Sequence, residues 1–253
     1  EPHPDDRSEL EKSHPWRICP IGEHWVTDHP LLIPPTDKRP EYYTNREGHC
    51  AANPMRGNSK AIKDYLSTNE MHIIANEHFG NLSGPPASKK LPEYIVGADK
   101  FDPYIRGWTK YWNDIFKPKE PLDPDLVKAL IATESSFEFA PPAQTAGTAG
   151  KAHGIIQLTD QAIIALGDSE GELLNHLVKI SPEDTYDPNI SIGAGVRWLF
   201  RKRDLASRRL KRQATWREAI AEYKSYLPEM LRSKDLHPPQ MSKLDDIYKR
   251  LKK

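Results

Sequence analysis

The chain has 253 residues, 37% hydrophobic and 28% charged, a composition that fits a globular protein long enough to bury a core. Its 36 basic and 36 acidic residues cancel, so no overall charge points to a polyanionic or polycationic partner. No apolar run approaches a transmembrane span, and the lack of an initiator Met or signal-like segment fits a mature form or a piece of something longer.

Nine prolines fall within the first 54 residues, which forces much of that stretch to extend or turn. Cys19 and Cys50 are the only cysteines, with His24 and His29 near the first and His49 beside the second. Two structural roles compete for them. One is a structural zinc site drawn from two Cys and two His; the other is a disulfide closing a segment too poor in core to fold alone. The spacing matches no standard zinc finger, which favours the disulfide, and neither role implies a catalytic metal. Further on, Ser59 is predicted to open a helix with Ala61, Ile62, Tyr65 and Leu66 on one side. Ser67-Thr68-Asn69-Glu70 reads as a capping box for a second helix, with Met71, Ile74, Ala75 and His78 at helical spacing and Gly80 as the stop. Together these predict a helical hairpin. Gly84-Pro85-Pro86-Ala87-Ser88-Lys89-Lys90 reads as a linker, which divides an N-terminal extension, 1–90, from a helical domain, 91–253.

The next helix is signalled strongly. Asp123 suits its N-cap, Pro124 its first position, and Asp125 favours its positive end. Val127, Leu130, Ile131 and Glu134 share one face at helical spacing, which puts a carboxyl group on an apolar side. A carboxyl taken from water favours its neutral, proton-carrying form, the form a general acid needs. A lone Glu on a helix is more often a surface residue paired with Lys or Arg, so the rest of the chain decides its role.

Residues 140–153 have no apolar period and are rich in Gly, Pro and small residues, as expected of a cleft wall; the spacing is wrong for a phosphate-binding loop. Asp160 fits the first turn of a helix opened by Thr159, where an acidic side chain favours the dipole. Asp187 and Pro188 read as N-cap and first residue of a further helix, in which Gly193 and Gly195 permit close approach. Thr215-Trp216-Arg217-Glu218 is another capping box, followed on one face by Trp216, Ala219, Ile220, Tyr223 and Leu227, so Tyr223 points inward. Residues 197–253 carry 17 basic and 7 acidic side chains against 19 and 29 in residues 1–196. Such a surface suits an anionic partner, or is a set of solvated helix faces. Nucleic acid is not expected, because aromatic interleaving and a known binding motif are missing.

Four of these segments, in order, resemble the goose-type lysozyme and soluble lytic transglycosylase superfamily, over roughly residues 100 to 230. Glu134-Ser135-Ser136-Phe137 is similar to the family's Glu-Ser-x-Phe signature, and Gly154-Ile155-Ile156-Gln157-Leu158 to its Gly-Leu-Met-Gln-Leu segment. Asp187-Pro188-Asn189-Ile190, with Gly193, Gly195, Trp198 and Leu199, resembles the family's following helix with its Asn-Ile pair early. Ala221-Glu222-Tyr223-Lys224 resembles an Ala-x-Tyr-Asn segment, with Lys224 in place of Asn.

The resemblance implies a mainly α, lysozyme-like catalytic domain behind a Pro-rich and helical extension of accessory or cell-wall-binding character. It implies Glu134 as general acid, Tyr223 as a residue hydrogen-bonded to it, and a sugar cleft lined by Ser135, Gly154, Ile156, Gln157 and Tyr223. The substrate implied is the peptidoglycan glycan strand, cut between N-acetylmuramic acid and N-acetylglucosamine. Water attack, a muramidase reaction, calls for a second carboxylate, for which Asp160 is the first candidate and Glu138 the second. Attack by the muramic 6-hydroxyl, with Glu134 as both acid and base, is the transglycosylase alternative. A peptidoglycan-binding module without activity is a further reading, and a zinc peptidase around Cys19 and Cys50 lacks the expected ligand motif. The site of action implied is the periplasm or the extracellular space. The unusual extension suggests a specialised antibacterial or toxin-like enzyme, for which a cognate immunity protein or inhibitor is an expected partner. No cofactor is expected for the chemistry.

Overall fold

The computed structural model describes residues 14–53, 64–86, 91–138, 147–235 and 238–253. Among these the protein is mainly helical, as predicted, and its strands occur only in two-stranded pairs.

The centre is a 23-residue helix, called α5 (Pro188–Leu210) with the earlier helices α1 (Thr68–His78), α2 (Asp102–Phe116), α3 (Pro124–Glu134) and α4 (Asp160–Gly167) around it in chain order. Asp187 caps α5 by accepting from the Asn189 N–H at 2.8 Å, and Pro188 takes the first position. The two glycines of α5 do what their spacing suggested. A Cβ on Gly193 would lie 2.4 Å from Met71 of α1, and one on Gly195 2.4 Å from Ile156. On α2, Trp108, Tyr111 and Trp112 are fully buried against α5. Trp108 donates to Asn189 Oδ1 at 2.8 Å and Trp112 to the Gly193 carbonyl at 2.9 Å, so both indoles are satisfied where they meet it. Three further helices close the body: α6 (Trp216–Tyr223), α7 (Leu227–Ser233) and α8 (Pro239–Leu251). α6 packs along α5, while α8 packs on α3.

In the N-terminal region the prolines leave room for short strands only. β1 (Glu23–Val26) pairs antiparallel with β4 (His49–Ala52), and between them β2 (His29–Ile33) pairs with β3 (Tyr42–Arg46) as an exposed ribbon. Cys19 and Cys50 form a disulfide that closes this nested pair, so of the two roles weighed for them the structure adopts the disulfide. The nearby imidazoles of His24, His29 and His49 hydrogen-bond to Asn53, the Thr27 carbonyl and the Glu47 carbonyl.

The predicted helical hairpin is corrected. Tyr65 and Leu66 lie in a strand, β5 (Tyr65–Ser67), which pairs in parallel with β8 (Leu177–Lys179); Ser59, Ala61 and Ile62 lie outside the described residues. The reason is a partner far along the chain: Leu66 and Val178 sit side by side and both are buried. The following helix is as predicted. Ser67 accepts from the Glu70 N–H at 3.2 Å, Met71, Ile74 and Ala75 face the core, and α1 ends at His78 with a 3-10 turn through Gly80. Only half of the capping box forms, because Glu70 turns its side chain to Arg17. One hydrophobic core cluster runs from Trp16 and Leu66 through α2, α3 and α5 to Leu251. Of the predicted linker, residues 84–86 lie beside α2, where Arg106 donates to the carbonyls of Gly84 and Pro85; residues 87–90 are outside the described residues.

Candidate active site

Glu134 is the last residue of α3, and each feature that places it is local. Asp123 accepts from the Asp125 N–H at 2.9 Å, Pro124 starts the helix, and Leu126 to Ala132 are all buried. The helix stops because Ser136 and Phe137 are left-handed, at φ 54° and 66°, which folds the chain back at once. The turn is pinned from two directions. Ser135 Oγ donates to the Ile155 carbonyl at 2.6 Å and accepts from the Phe137 N–H, and the Phe137 ring stacks on Phe101. Glu134 is left with its side chain 17% exposed.

Facing it is the end of α6. The predicted capping box is complete there: Thr215 accepts from the Glu218 N–H, and Glu218 returns to the Thr215 N–H at 2.8 Å. Trp216, Ala219 and Ile220 are buried, and Tyr223 follows on the same face. Its hydroxyl, expected on Glu134, instead donates to the Ile156 carbonyl at 2.8 Å. Burial first, and the negative charge of Glu134 second, push that phenol well above the usual tyrosine range, so it stays a donor. The group that does touch Glu134 is Lys224, the first residue past α6. Its ammonium forms an ion pair with Glu134 Oε1, and its side chain is 9% exposed. The apolar setting expected for the acid is therefore corrected: the face behind it is apolar, but the tip meets a cation.

Between the two helix ends lies a small hairpin, β6 (Ala152–His153) with β7 (Leu158–Thr159). Its turn carries the segment expected to line the sugar cleft. Gly154 is left-handed, at φ 67°, and a Cβ there would lie 2.3 Å from Ser191 Oγ and 2.6 Å from the Thr185 carbonyl, so only glycine fits. Gln157, also left-handed at φ 57°, folds its amide back onto the Gly154 carbonyl at 2.8 Å. Ile156 is fully buried beside Gly195. The structure thus brings Glu134, Ser135, Ile155, Ile156, Tyr223 and Lys224 together. Successive turn carbonyls, of Ile155 and Ile156, accept from Ser135 and Tyr223, the residues next to Glu134 and next to Lys224.

Asp160 has a different position in this hydrogen-bond pattern. It follows the N-cap Thr159 at the start of α4, with one carboxylate oxygen accepting from the Lys151 N–H at 2.7 Å and the other 2.7 Å from His153 Nε2. Those contacts, the Lys151 N–H foremost, hold its carboxyl below the usual aspartate range. It fastens the hairpin to α4, with His153 as its partner. Glu138 is exposed at the edge of the described residues, and residues 140–146 of the expected cleft wall lie outside them. Among the described residues no group of three or more His, Cys, Asp or Glu side chains is gathered in a way that could hold a metal ion.

A family model described as Transglycosylase SLT domain matches residues 113–225. Over residues 113–225 the chain is similar to the transglycosylase SLT domain. The match contains Glu134, the hairpin turn, the whole of α5, and the Tyr223–Lys224 pair. No curated protein and no solved structure matches the chain. The SLT family acts on peptidoglycan, outside the cytoplasm, and peptidoglycan is accordingly the substrate class of the SLT segment. No helix among the described residues is long and apolar enough to cross a membrane. What the sequence reading missed is the pairing of Lys224 with Glu134. The signal for it was present, as the one position where the Ala-x-Tyr-Asn pattern changes charge.

Proposed function

We propose that this protein is a lytic transglycosylase in which Glu134 is the sole acid and base. Glu134 would protonate the glycosidic oxygen between N-acetylmuramic acid and N-acetylglucosamine as positive charge develops at the muramic carbon. The resulting carboxylate would then accept the proton of the muramic 6-hydroxyl as that oxygen closes on the same carbon, leaving a 1,6-anhydro end. The observation that carries the reading is the placement of Glu134 inside the SLT segment. It ends a buried helix, remains reachable, and is flanked by backbone held rigid at Ile155 and Ile156. Such fixation suits a group that has to meet two substrate oxygens in turn. The Cys19–Cys50 disulfide is in keeping with work outside the cytoplasm, where disulfides persist.

Hydrolysis is the second reading, and it asks Asp160 to orient water. The engagement of both Asp160 oxygens with Lys151 and His153 favours the transglycosylase instead. Mass spectrometry of fragments released from purified peptidoglycan by the wild type and by Glu134→Gln decides between them. Anhydro-muramic ends that vanish with the variant are the expected result. Reducing ends one water heavier would establish hydrolysis, and wild-type protein that binds sacculi without releasing fragments would leave only a binding module.

A further inference from the structure

Lys224 confronts the proposed acid with a problem of charge. A carboxylate paired with an ammonium has no proton to give, so the paired state cannot begin the reaction. Once Glu134 takes up a proton the pairing is lost, and Lys224 remains as a cation whose side chain is only 9% exposed. A charge withdrawn from water and left without a counter-charge is strongly disfavoured. The nearest acidic residues of α6 are committed elsewhere: Glu222 binds Arg209 and Glu218 binds Arg212. The Tyr223 hydroxyl donates to a carbonyl and offers no negative charge. Among the described residues Glu134 is the only ion-pair partner of Lys224, so the missing counter-charge has to come from what fills the cleft.

Peptidoglycan can supply it. Its muramic residues carry a lactyl-linked peptide arm with free carboxylates, whereas a β-1,4 polymer of N-acetylglucosamine alone is neutral. We infer that Lys224 is a specificity-determining residue that pairs with a carboxylate of the muramyl peptide arm and thereby leaves Glu134 free to carry its proton. The exchange balances: the ammonium moves from one carboxylate to another, and the proton on Glu134 comes from solvent. An asparagine at this position, being uncharged, would make no such demand. Cleavage is then coupled to the charge of the glycan rather than to its sugar backbone alone.

The inference rests on Glu134 being the acid, and the test separates the two claims. Soluble peptidoglycan strands are prepared in two forms, native and with their carboxylates converted to amides. Cleavage is followed with wild type, Lys224→Asn and Lys224→Arg. Amidation is expected to lower kcat/KM of the wild type by about tenfold or more, since an unpaired buried charge costs at least that much. Lys224→Asn should lose this sensitivity, and Lys224→Arg, which keeps the charge, should retain it. Equal cleavage of both forms by the wild type would overturn the inference while leaving the peptidoglycan reading in place. So would an undiminished amidation effect in Lys224→Asn. Wild type that cleaves neither form would overturn both.

Discussion

Arg17 and Lys224 are both cations withdrawn from water, one in the N-terminal region and one beside Glu134, and they are treated in opposite ways. Arg17 is sealed, with its side chain 0% exposed, and is surrounded by acceptors. Its guanidinium donates to Glu70 at 2.7 and 2.8 Å and to the carbonyls of Glu23 and Tyr65, and it also pairs with Asp64. Asp64 in turn accepts from His176 Nδ1 at 2.8 Å, so the cluster joins β1, β5, α1 and the approach to β8. Among the described residues Lys224 has one ionic partner, and it keeps an opening to solvent. An over-supplied charge fixes structure, because every exchange of partner is a loss. A singly paired one can change partner, which is what a reacting site requires.

Changes at the two sites should therefore break different properties. Glu134→Gln is expected to lower fragment release by about 10²–10⁴-fold, the usual worth of a positioned acid, while the thermal midpoint barely moves. A stable variant with near-normal turnover would remove Glu134 from the chemistry. Arg17→Met should do the reverse. It leaves Glu70 and Asp64 buried without their partner and should cost about 3–5 kcal/mol in urea unfolding, with turnover of the folded fraction intact. Cys50→Ser opens a loop of 31 residues and should cost about 3–4 kcal/mol by the same measurement, again without altering the cleft.

Acidity sharpens the contrast further. Burial, and then nearby arginines, hold the imidazoles of His14 and His176 down at about 4. His14 uses its bare Nδ1 to accept from the Trp16 N–H, which requires the neutral ring. The unfolded chain takes up these protons near the ordinary histidine value. The stability they confer is thus complete above about pH 6.5 and is lost as the pH falls towards 4. Between pH 7.5 and 5 the loss should be about 1–2 kcal/mol for each imidazole, and His14→Gln with His176→Gln should flatten the slope. The smallest effect is expected at the capping box of α6, where Thr215→Ala should cost about 1 kcal/mol and leave the slope unchanged.

What could be read from sequence was what short stretches decide. Asp123 with Pro124, Ser67 with the Glu70 N–H, and Thr215 with Glu218 are contacts within one turn, and each helix start is where its cap placed it. The approach to the site was legible for the same reason, since Glu134 and Tyr223 each lie on a helix with its own start signal. What was hidden depends on distant partners. Tyr65 and Leu66 have a helical neighbourhood, but they pair with residues 177 and 178. Arg17 sits in a stretch with no periodicity, and its ligands are residues 64 and 70. Lys224 was visible as a changed letter, yet only the meeting of the ends of α3 and α6 gives that letter a partner 90 residues away.

The packing of α8 on α3 bears on how the protein can be taken apart. The SLT match begins at residue 113, inside α2, and stops at residue 225, before α7 and α8. A piece trimmed to those limits would lose Trp108 and Tyr111 from one side of the core. It would also lose Leu244 and Ile247 of α8, together with the Tyr248 hydroxyl that donates to Asp123 at the start of the Glu134 helix. The Glu134 helix would then be held at neither flank, so a fragment that folds alone is expected to need more of the chain than the matched segment.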